Sequence, residues 1–264
     1  MRGTPLELMK SYFSDRRQFV LYGDTRSETA AQNIGVIQGS KNGPLMFDIY
    51  SNDLNYICDD RENIMFADDT CLVYFGNDLN SLVPHVNKRL AKVMDWCNAN
   101  KLAINPTKSE FMLLTNRLIP FEPELRLGND NISHKKAVKY LGLHIDENLN
   151  FGQHLDNLKT KLSRLAGVSH RLKLYFNYRT SKNYYYSCVY SVLTYCLAAY
   201  GGALDTYRGR ILVRLQEKIV YNLFSKYDRR NCPFKTNKLL KLPDIYRLHA
   251  CVHMYKVINL DKNE

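Results

Sequence analysis

Apolar and polar positions recur along the chain in two patterns, and each predicts a different kind of element. Up to about residue 147, short apolar runs separated by Gly, Asn and Asp predict strands and hairpins, with one long amphipathic helix from Leu79 to Cys97. Beyond Asn150 the apolar positions recur at helical spacing, which predicts helices over 151–172, about 181–199, 208–224 and 244–258. We therefore expect an α+β fold: an antiparallel sheet with helices on one side, followed by a helical region.

The clearest predicted hairpin runs from Ile64 to Phe75, and two carboxylates interrupt its apolar residues. Asp68 and Asp69 then lie at its tip. Side chains alternate along a strand, so both carboxylates point the same way only if the turn bends the backbone between them, and we take Asp68 as the primary metal ligand. Phosphoryl-transfer sites commonly hold two Mg²⁺ ions, which need more carboxylates than this hairpin has. The dipeptide alone favours an acidic turn without a role, as Asp59-Asp60 in a polar loop illustrates.

A glycine-rich turn precedes the hairpin. Gly35 and Gly39 flank Gln38, and Pro44 marks the start of a helix. The glycines would let the backbone approach a nucleotide or template base, with the Gln38 amide available to hydrogen-bond. Such a turn is also common in proteins that bind nothing.

The net charge favours a polyanionic partner. The chain has 37 Lys+Arg against 26 Asp+Glu, a formal charge of +11, and 19 Tyr residues that add stacking surface. Lys161, Arg164 and Arg171 cluster on one face of the first helix beyond Asn150. A solvated basic face explains this cluster as well as contact with nucleic acid does.

Cysteine and histidine spacing does not indicate a metal site or a disulfide framework. The seven cysteines are scattered without a CxxC pair, and His249 and His253 lack a third ligand nearby. We expect an intracellular protein of the nucleus or cytoplasm, not a secreted one, because no signal peptide is recognisable. The uncharged stretch 184–204 is about long enough to span a membrane, but its Tyr and Ser content and Gly201-Gly202 favour a buried helix ending in a turn, with no membrane partner.

Four motifs, in order, resemble the palm of reverse transcriptases. Phe66-Ala67-Asp68-Asp69 resembles the catalytic hairpin, and Gly35–Ser40 with Gly43-Pro44-Leu45 resembles the Gln-Gly loop and helix ahead of it. Trp96–Leu102, continuing to Asn105 and Lys108, is similar to the next palm motif, and Lys139–Gly142 with Asp146 resembles the primer-grip hairpin. Order and spacing are most similar to the non-long-terminal-repeat (non-LTR, LINE-class) retrotransposon enzymes, jockey-like elements of arthropods in particular.

This resemblance implies a right-hand polymerase that copies an RNA template from a DNA primer with dNTPs and two Mg²⁺ ions. It implies metal binding by Asp68 with help from Asp69, and neutralisation or protonation of the leaving pyrophosphate by Lys108. It also assigns nucleotide or template contacts to a set in and before the hairpin: Gln38, Gly39, Ser40, Phe66 and Ala67. The primer grip would be Tyr140, Leu141 and Gly142. An endonuclease domain is possible in the full-length element.

Departures from the family pattern limit these expectations. The family's first catalytic Asp and its fingers lie upstream of the segment that begins here, and neither Asp15 nor Asp24 replaces that Asp. Ile37 replaces the usual Pro, and Lys41-Asn42 an apolar pair. We expect an N-terminally truncated polymerase, inactive alone or nearly so, with a partial palm at 1–147, a helical thumb or connector at 148–228 and the start of a truncated C-terminal helical segment at 229–264. The alternative is a catalytically inactive, basic nucleic-acid-binding remnant.

Overall fold

The computed structural model of the chain describes residues 2–33, 35–37, 39–58, 63–119, 121–227 and 232–260. The chain divides into two compact units. The first contains Met1–Pro106 and Pro123–Asn131, and the second contains Thr107–Glu122 and Ile132–Glu264. This division follows backbone contacts, whereas the predicted palm, thumb and C-terminal segment are functional divisions that stay a prediction. Gln38 and Asp59-Asp60 lie outside the described residues.

The helices occupy the positions at which helical periodicity is strongest. They are α1 Thr4–Phe13, α2 Gly43–Ser51, α3 Leu54–Cys58, α4 Leu79–Ala99, α5 Gly152–Leu172, α6 Tyr178–Tyr184, α7 Ser191–Thr194, α8 Leu197–Tyr200, α9 Tyr207–Phe224, α10 Pro233–Thr236 and α11 Leu242–Leu260. A π-helical turn, Tyr185–Tyr190, joins α6 to α7, and 3₁₀ turns cover Pro106–Lys108 and Gly201–Asp205. The predicted long helices α4, α5, α9 and α11 are confirmed.

The strands are short and pair two by two. They are β1 Arg17–Gln18, β2 Leu21–Tyr22, β3 Thr25–Arg26, β4 Ala30–Ala31, β5 Asn63–Phe66, β6 Asp69–Leu72, β7 Glu110–Phe111, β8 Arg126–Leu127, β9 Asp130–Asn131, β10 Ser133–His134, β11 Ala137–Tyr140 and β12 Leu143–Asp146. Within the described residues, the antiparallel ladders are β1–β4, β2–β3, β5–β6, β8–β9 and β11–β12, and β7–β10 is parallel. The mixed α+β class is confirmed, while the described strands do not join into one continuous sheet.

The core of the first unit lies between α3, α4 and the β5–β6 hairpin. Leu54 of α3 packs with Val93, Trp96 and Cys97 of α4, and Met65 and Leu72 of the hairpin pack against this cluster. The four-residue and three-residue spacing of the α4 residues places them on one helical face. The amphipathic pattern of α4 therefore provides the support on which the hairpin rests.

The second unit is built around α5 and α9, which lie side by side and point the same way. Their N-terminal ends are joined by an ion pair of 3.2 Å between Arg208 and Asp156, and further along Asn222 donates to the hydroxyl of Ser169. Between them and the later helices lies a core of fully buried side chains, including Leu162, Leu212 and Ile219. Ile245 of α11 belongs to the same core, so the C-terminal helix begins inside it.

The prediction of a single helix over about 181–199 is wrong, because the helix is interrupted at Tyr195 and Cys196. Tyr195 is extended and Cys196 has a φ of 54°, in the left-handed region, so α7 ends and α8 starts in a new direction. Apolar periodicity continues across the break because Leu193, Leu197 and Tyr200 are all fully buried. Apolar periodicity indicates which residues are buried. Here the helical segments on both sides of the break are buried, although their axes point in different directions.

No single described helix is long and apolar enough to span a membrane. One pair, Tyr178–Thr194 and Leu197–Asp205, meets the length and composition criteria together, with a bend of 55° at the break.

Candidate active site

A two-residue turn joins β5 to β6 and carries the first carboxylate. The ladder pairs Phe66 with Asp69, so Ala67 and Asp68 alone form the connection. Ala67 has a φ of 52°, and tight hairpin turns require such a left-handed conformation at their first turn residue. The predicted hairpin with Asp68 and Asp69 at its tip is confirmed.

The second carboxylate lies on the open face of this ladder. Residues directly opposite each other project to the same side, so Asp69 shares a face with Phe66, while Met65 and Thr70 share the other. Met65 packs against the core, whereas Phe66 is 64% and Ile64 54% exposed. Asp68 and Asp69 are both exposed. Both carboxylates are therefore accessible from solvent, beside an uncovered apolar surface.

Two carboxylates form a partial ligand set for divalent metal. Their hard oxygen atoms suit Mg²⁺. Burial raises the pKa of the nearby Cys71 thiol. Among the residues that the structure describes, no three His, Cys, Asp or Glu side chains converge on one point. The hairpin thus fits Mg²⁺ in its chemistry, while a two-ion site needs further ligands.

Helix α4, which supports the hairpin, has a well-formed N-terminus. The Asp78 carboxylate accepts a hydrogen bond of 3.0 Å from the Ser81 N–H, as a helix N-cap does. Backbone hydrogen bonds from Asn80 and Ser81 lower the pKa of Asp78. This carboxylate is therefore used for capping and does not add to the hairpin pair.

The predicted template loop is fastened through Ser40. Its hydroxyl accepts hydrogen bonds from the Tyr12 hydroxyl at 2.7 Å and from the Gly43 N–H at 3.0 Å. Gly39 has a φ of 78° and open space where a side chain would begin, which is compatible with close approach of a ligand. The Ser40 hydroxyl has a structural role that the sequence did not indicate, and a template contact from Gly39 stays a prediction.

Lys108 ends the 3₁₀ turn Pro106–Lys108 and is exposed. It belongs to the second unit, whereas the β5–β6 hairpin belongs to the first. Its role with the leaving pyrophosphate stays a prediction.

The predicted primer-grip residues form the turn between β11 and β12. Tyr140 pairs with Leu143, so Leu141 and Gly142 are the two turn residues, with φ of 45° and 83°. Both values are positive, as a type I′ turn requires. The hydroxyl of Tyr195 donates to the Leu141 carbonyl, and its ring would meet a side chain on Gly142 at 3.5 Å. Sequence reasoning missed Tyr195, because only the break after α7 brings it to this turn.

Asp146, at the other end of the same hairpin, fastens it to α5. Its carboxylate accepts hydrogen bonds from the N–H groups of Asn148, Asn150 and Gly152 at 3.2, 2.9 and 3.3 Å. Gly152 is the first residue of α5, whose N-cap position, Phe151, makes no side-chain cap. One carboxylate therefore orders the connection between the hairpin and the helix.

The three predicted backbone-contacting residues, Lys161, Arg164 and Arg171, are exposed on α5. No ion pair within the described part of the chain involves them. Lys161 lies close enough to the buried His154 that its charge contributes, after burial and His144, to lowering the pKa of His154 to about 4. The cluster is available to an anionic partner, and its assignment to nucleic acid stays a prediction.

A separate groove of about 800 Å³ lies between α4 and the β8–β9 hairpin. Asp95 and Asp130 line it together with an ion pair of 3.2 Å between Arg126 and Glu124. None of the predicted site residues lines this groove.

The β5–β6 hairpin, the β11–β12 turn and the loop at Ser40 all lie within the match to one known protein family. The family model described as reverse transcriptase (RNA-dependent DNA polymerase) matches residues 2–145, which is more than half of the chain. The match includes the β5–β6 hairpin, the loop at Ser40 and the β11–β12 turn. The chain therefore belongs to the reverse transcriptase family.

Relatives of this chain within the reverse transcriptase family are proteins of mobile elements. The chain is 28% identical over 218 residues to the "Probable RNA-directed DNA polymerase from transposon BS" of Drosophila melanogaster, covering 78% of this chain and 24% of that protein. It is 26% identical to the "RNA-directed DNA polymerase from mobile element jockey" of the same species, covering 80% and 24%. The R1 Pol polyprotein of Bradysia coprophila is 29% identical, with 62% and 17% covered. The expected resemblance to jockey-like, non-LTR reverse transcriptases is confirmed.

The chain spans about a quarter of the length of the first two relatives. No solved structure matches it.

Proposed function

We propose that this chain supplies part of the catalytic core of an RNA-directed DNA polymerase, with residues 1–147 as palm and 148–228 as thumb or connector. The observation that carries the proposal is the solvent-open β5–β6 hairpin, whose turn holds Asp68 and whose open face holds Asp69. The substrates would be an RNA template, a DNA primer and dNTPs, and an endonuclease domain would accompany the polymerase in the full-length element.

Asp68 and Asp69 would hold Mg²⁺ through their carboxylate oxygens. When bound, the metal would stabilise the attacking and leaving oxygens of phosphoryl transfer. Lys108 would neutralise or protonate the pyrophosphate that leaves, while Gln38 and Gly39 would face the template–nucleotide pair. The β11–β12 turn would position the primer end, because Tyr195 holds the turn and Asp146 holds the opposite end of the hairpin.

Metal binding at the hairpin is tested by Mn²⁺ relaxation of backbone amide signals in the ¹⁵N-labelled chain. We expect substoichiometric Mn²⁺ to broaden the signals of residues 66–70 first, and Asp68→Asn to remove this effect. Asp24→Asn is a matched control, because Asp24 is an exposed Asp at the second turn position of the β2–β3 hairpin and has no acidic neighbour after it. If the Mn²⁺ broadening of residues 66–70 persists in the double variant Asp68→Asn/Asp69→Asn, the assignment of these carboxylates as metal ligands is contradicted.

Polymerase function is tested by transfer of the hairpin. Residues 63–72 would replace the matching segment of the transposon BS polymerase, and primer extension on an RNA template would be measured. Extension that is lost on Asp68→Asn in this chimera supports the proposal, and extension that persists refutes it. Because the described residues bring only two carboxylates together at the hairpin, we expect residues 1–264 alone to give no robust Mg²⁺-dependent extension.

A second function, nucleic-acid binding without catalysis, is favoured by one observation. Residues 157–204 contain seven Lys and Arg and no Asp or Glu, and three of the seven are the exposed Lys161, Arg164 and Arg171. Affinity for an RNA–DNA hybrid should then fall steeply with salt, because each phosphate contact releases counterions. A flat salt response would remove the support for this alternative.

A further inference from the structure

One end of the second unit carries basic and aromatic side chains with no acidic neighbour in sequence. The acid-free stretch 157–204 runs from the second turn of α5 through the loop after it and α6, and continues past α8. Its cations include Arg171, Lys173, Arg179 and Lys182. No carboxylate within this stretch offsets these cations, so their charge favours a polyanionic partner.

The C-terminal ends of α5 and α9 meet at this point. The Lys226 ammonium, just beyond α9, donates to the carbonyls of Lys173 and Phe176, and the Tyr227 hydroxyl donates to the Phe176 carbonyl at 2.9 Å. These bonds hold the loop after α5 against the turn after α9. The loop therefore presents its side chains from a fixed backbone.

We call three tyrosines at this point the aromatic patch: Tyr178 and Tyr227, whose rings are in contact, and Tyr175, which lies between the carbonyls of Lys173 and Phe176 that Lys226 holds. Tyr175 is 83% exposed, and within the described part of the chain its side chain makes no hydrogen bond and no ring contact. Tyr178 and Tyr227 pack edge to face at 5.5 Å between ring centroids and are each 42% exposed. A tyrosine that is 83% exposed, in a stretch of the chain with cations and no acids, is available for stacking.

Ammonium groups lie beside two of these rings. The Lys182 nitrogen is 5.5 Å from the Tyr178 ring centroid, and the Lys226 nitrogen is 5.0 Å from that of Tyr227. A ring that stacks a base and a cation that meets its phosphate are the two parts of a single-strand site. A duplex offers the phosphates but keeps its bases stacked inside, so it uses only the cations.

We propose that the aromatic patch binds single-stranded RNA, with an unpaired base stacked on Tyr175 and phosphates beside Lys182 and Lys226. We infer a single-stranded ligand because the exposed tyrosine rings can stack an unpaired base while the neighbouring cations contact its phosphates. The choice of RNA over DNA rests on the proposed function, in which the template strand is RNA. The site would hold template that is not yet paired.

The test is fluorescence anisotropy of a labelled 15-nucleotide oligo(U) RNA with the 264-residue chain, in EDTA. Stacking on an aromatic side chain is worth enough that Tyr175→Ser should raise the Kd about fivefold or more, and Tyr175→Trp should restore the affinity. Tyr207→Ser is the matched control, because Tyr207 is 78% exposed at the other end of α9, about 25 Å along the helix axis. Its Kd should equal that of the parent chain.

Three results would overturn the proposal: a Kd for Tyr175→Ser within twofold of the parent, equal competition by duplex RNA, or tighter binding of oligo(dT) than of oligo(U). Tyr175-dependent binding to phosphatidylserine vesicles in place of RNA would assign the patch to a lipid surface and also overturn it. The assay uses neither metal nor synthesis. Failure here therefore leaves the hairpin proposal standing, and failure of Mn²⁺ binding leaves this one standing.

Discussion

Replacing Asp146 tests whether a single carboxylate joins the predicted primer-grip hairpin to α5. In Asp146→Ala, three N–H groups lose their acceptor, the shortest of these bonds being 2.9 Å to Asn150. Asn148 and Asn150 are exposed, so water replaces part of that loss. The Gly152 N–H lies at the start of α5, where the N-cap residue Phe151 offers no side-chain acceptor in place of Asp146.

The magnitude follows from two contributions. Loss of a capping side chain typically costs about 0.5–2 kcal/mol, and loss of a negative charge near a helix N-terminus costs about 0.3–1 kcal/mol more. We expect the free energy of unfolding of the second unit to fall by about 2 kcal/mol in Asp146→Ala. Asp146→Asn keeps one acceptor oxygen and should lose about half as much.

The assay is hydrogen exchange followed by mass spectrometry on peptides that cover β12 and the first turns of α5. A loss of about 2 kcal/mol corresponds to roughly 30-fold faster exchange where the opening equilibrium sets the exchange rate. Glu147→Ala is the control, since it removes the neighbouring acid, for which the described residues show no side-chain hydrogen bond. Equal acceleration in both variants would refute the reasoning, because the effect would then come from net charge alone.

Three further substitutions test the second unit. His154 is 4% exposed, and neither of its ring nitrogens is hydrogen-bonded within the described part of the chain. Burial, His144 and Lys161 lower the pKa of His154 to about 4, so the unfolded chain takes up the proton at a higher pH than the folded chain does. The free energy of unfolding should therefore fall by about 3 kcal/mol as pH drops from 6.5 to 4, and His154→Phe should remove this pH dependence in urea unfolding. Tyr195→Phe should speed hydrogen exchange in the β11–β12 turn by about fivefold, because one hydrogen bond of about 1 kcal/mol is lost. Gln216→Leu should lower the free energy of unfolding by about 3–5 kcal/mol in urea titrations, because this fully buried amide bonds to three groups: the Tyr185 hydroxyl, the Leu240 carbonyl and the Leu242 N–H.

The last two substitutions, Tyr195→Phe and Gln216→Leu, have matched controls. Tyr207→Phe removes a hydroxyl that has no described hydrogen bond, and Gln153→Leu changes an exposed amide on α5. Neither should shift its measurement. A pH slope unchanged in His154→Phe, or effects as large in the controls as in Tyr195→Phe and Gln216→Leu, would show that these contacts do not carry the stated energies.

The sequence by itself determined the local elements of this protein. The apolar spacing of Val86, Leu90, Val93 and Cys97 places a helix and its buried face, and the apolar runs around Asp68 and Asp69 place a hairpin with an acidic tip. Both signals are local, since hydrogen bonds within a helix or a tight hairpin connect residues close in sequence. The family resemblance was visible in the same way, because its motifs are short and ordered.

Only the tertiary structure decided which distant residues support those elements. Tyr12 reaches Ser40, Tyr195 reaches Leu141, and Gln216 joins Tyr185 to the chain beyond α10. The sequence pattern did not predict the break at Tyr195 and Cys196, because residues on both sides of it are buried. Apolar periodicity indicates which residues are buried and does not indicate the direction of the helix axis. Such contacts join residues far apart in sequence, so no local pattern encodes them and only packing selects them.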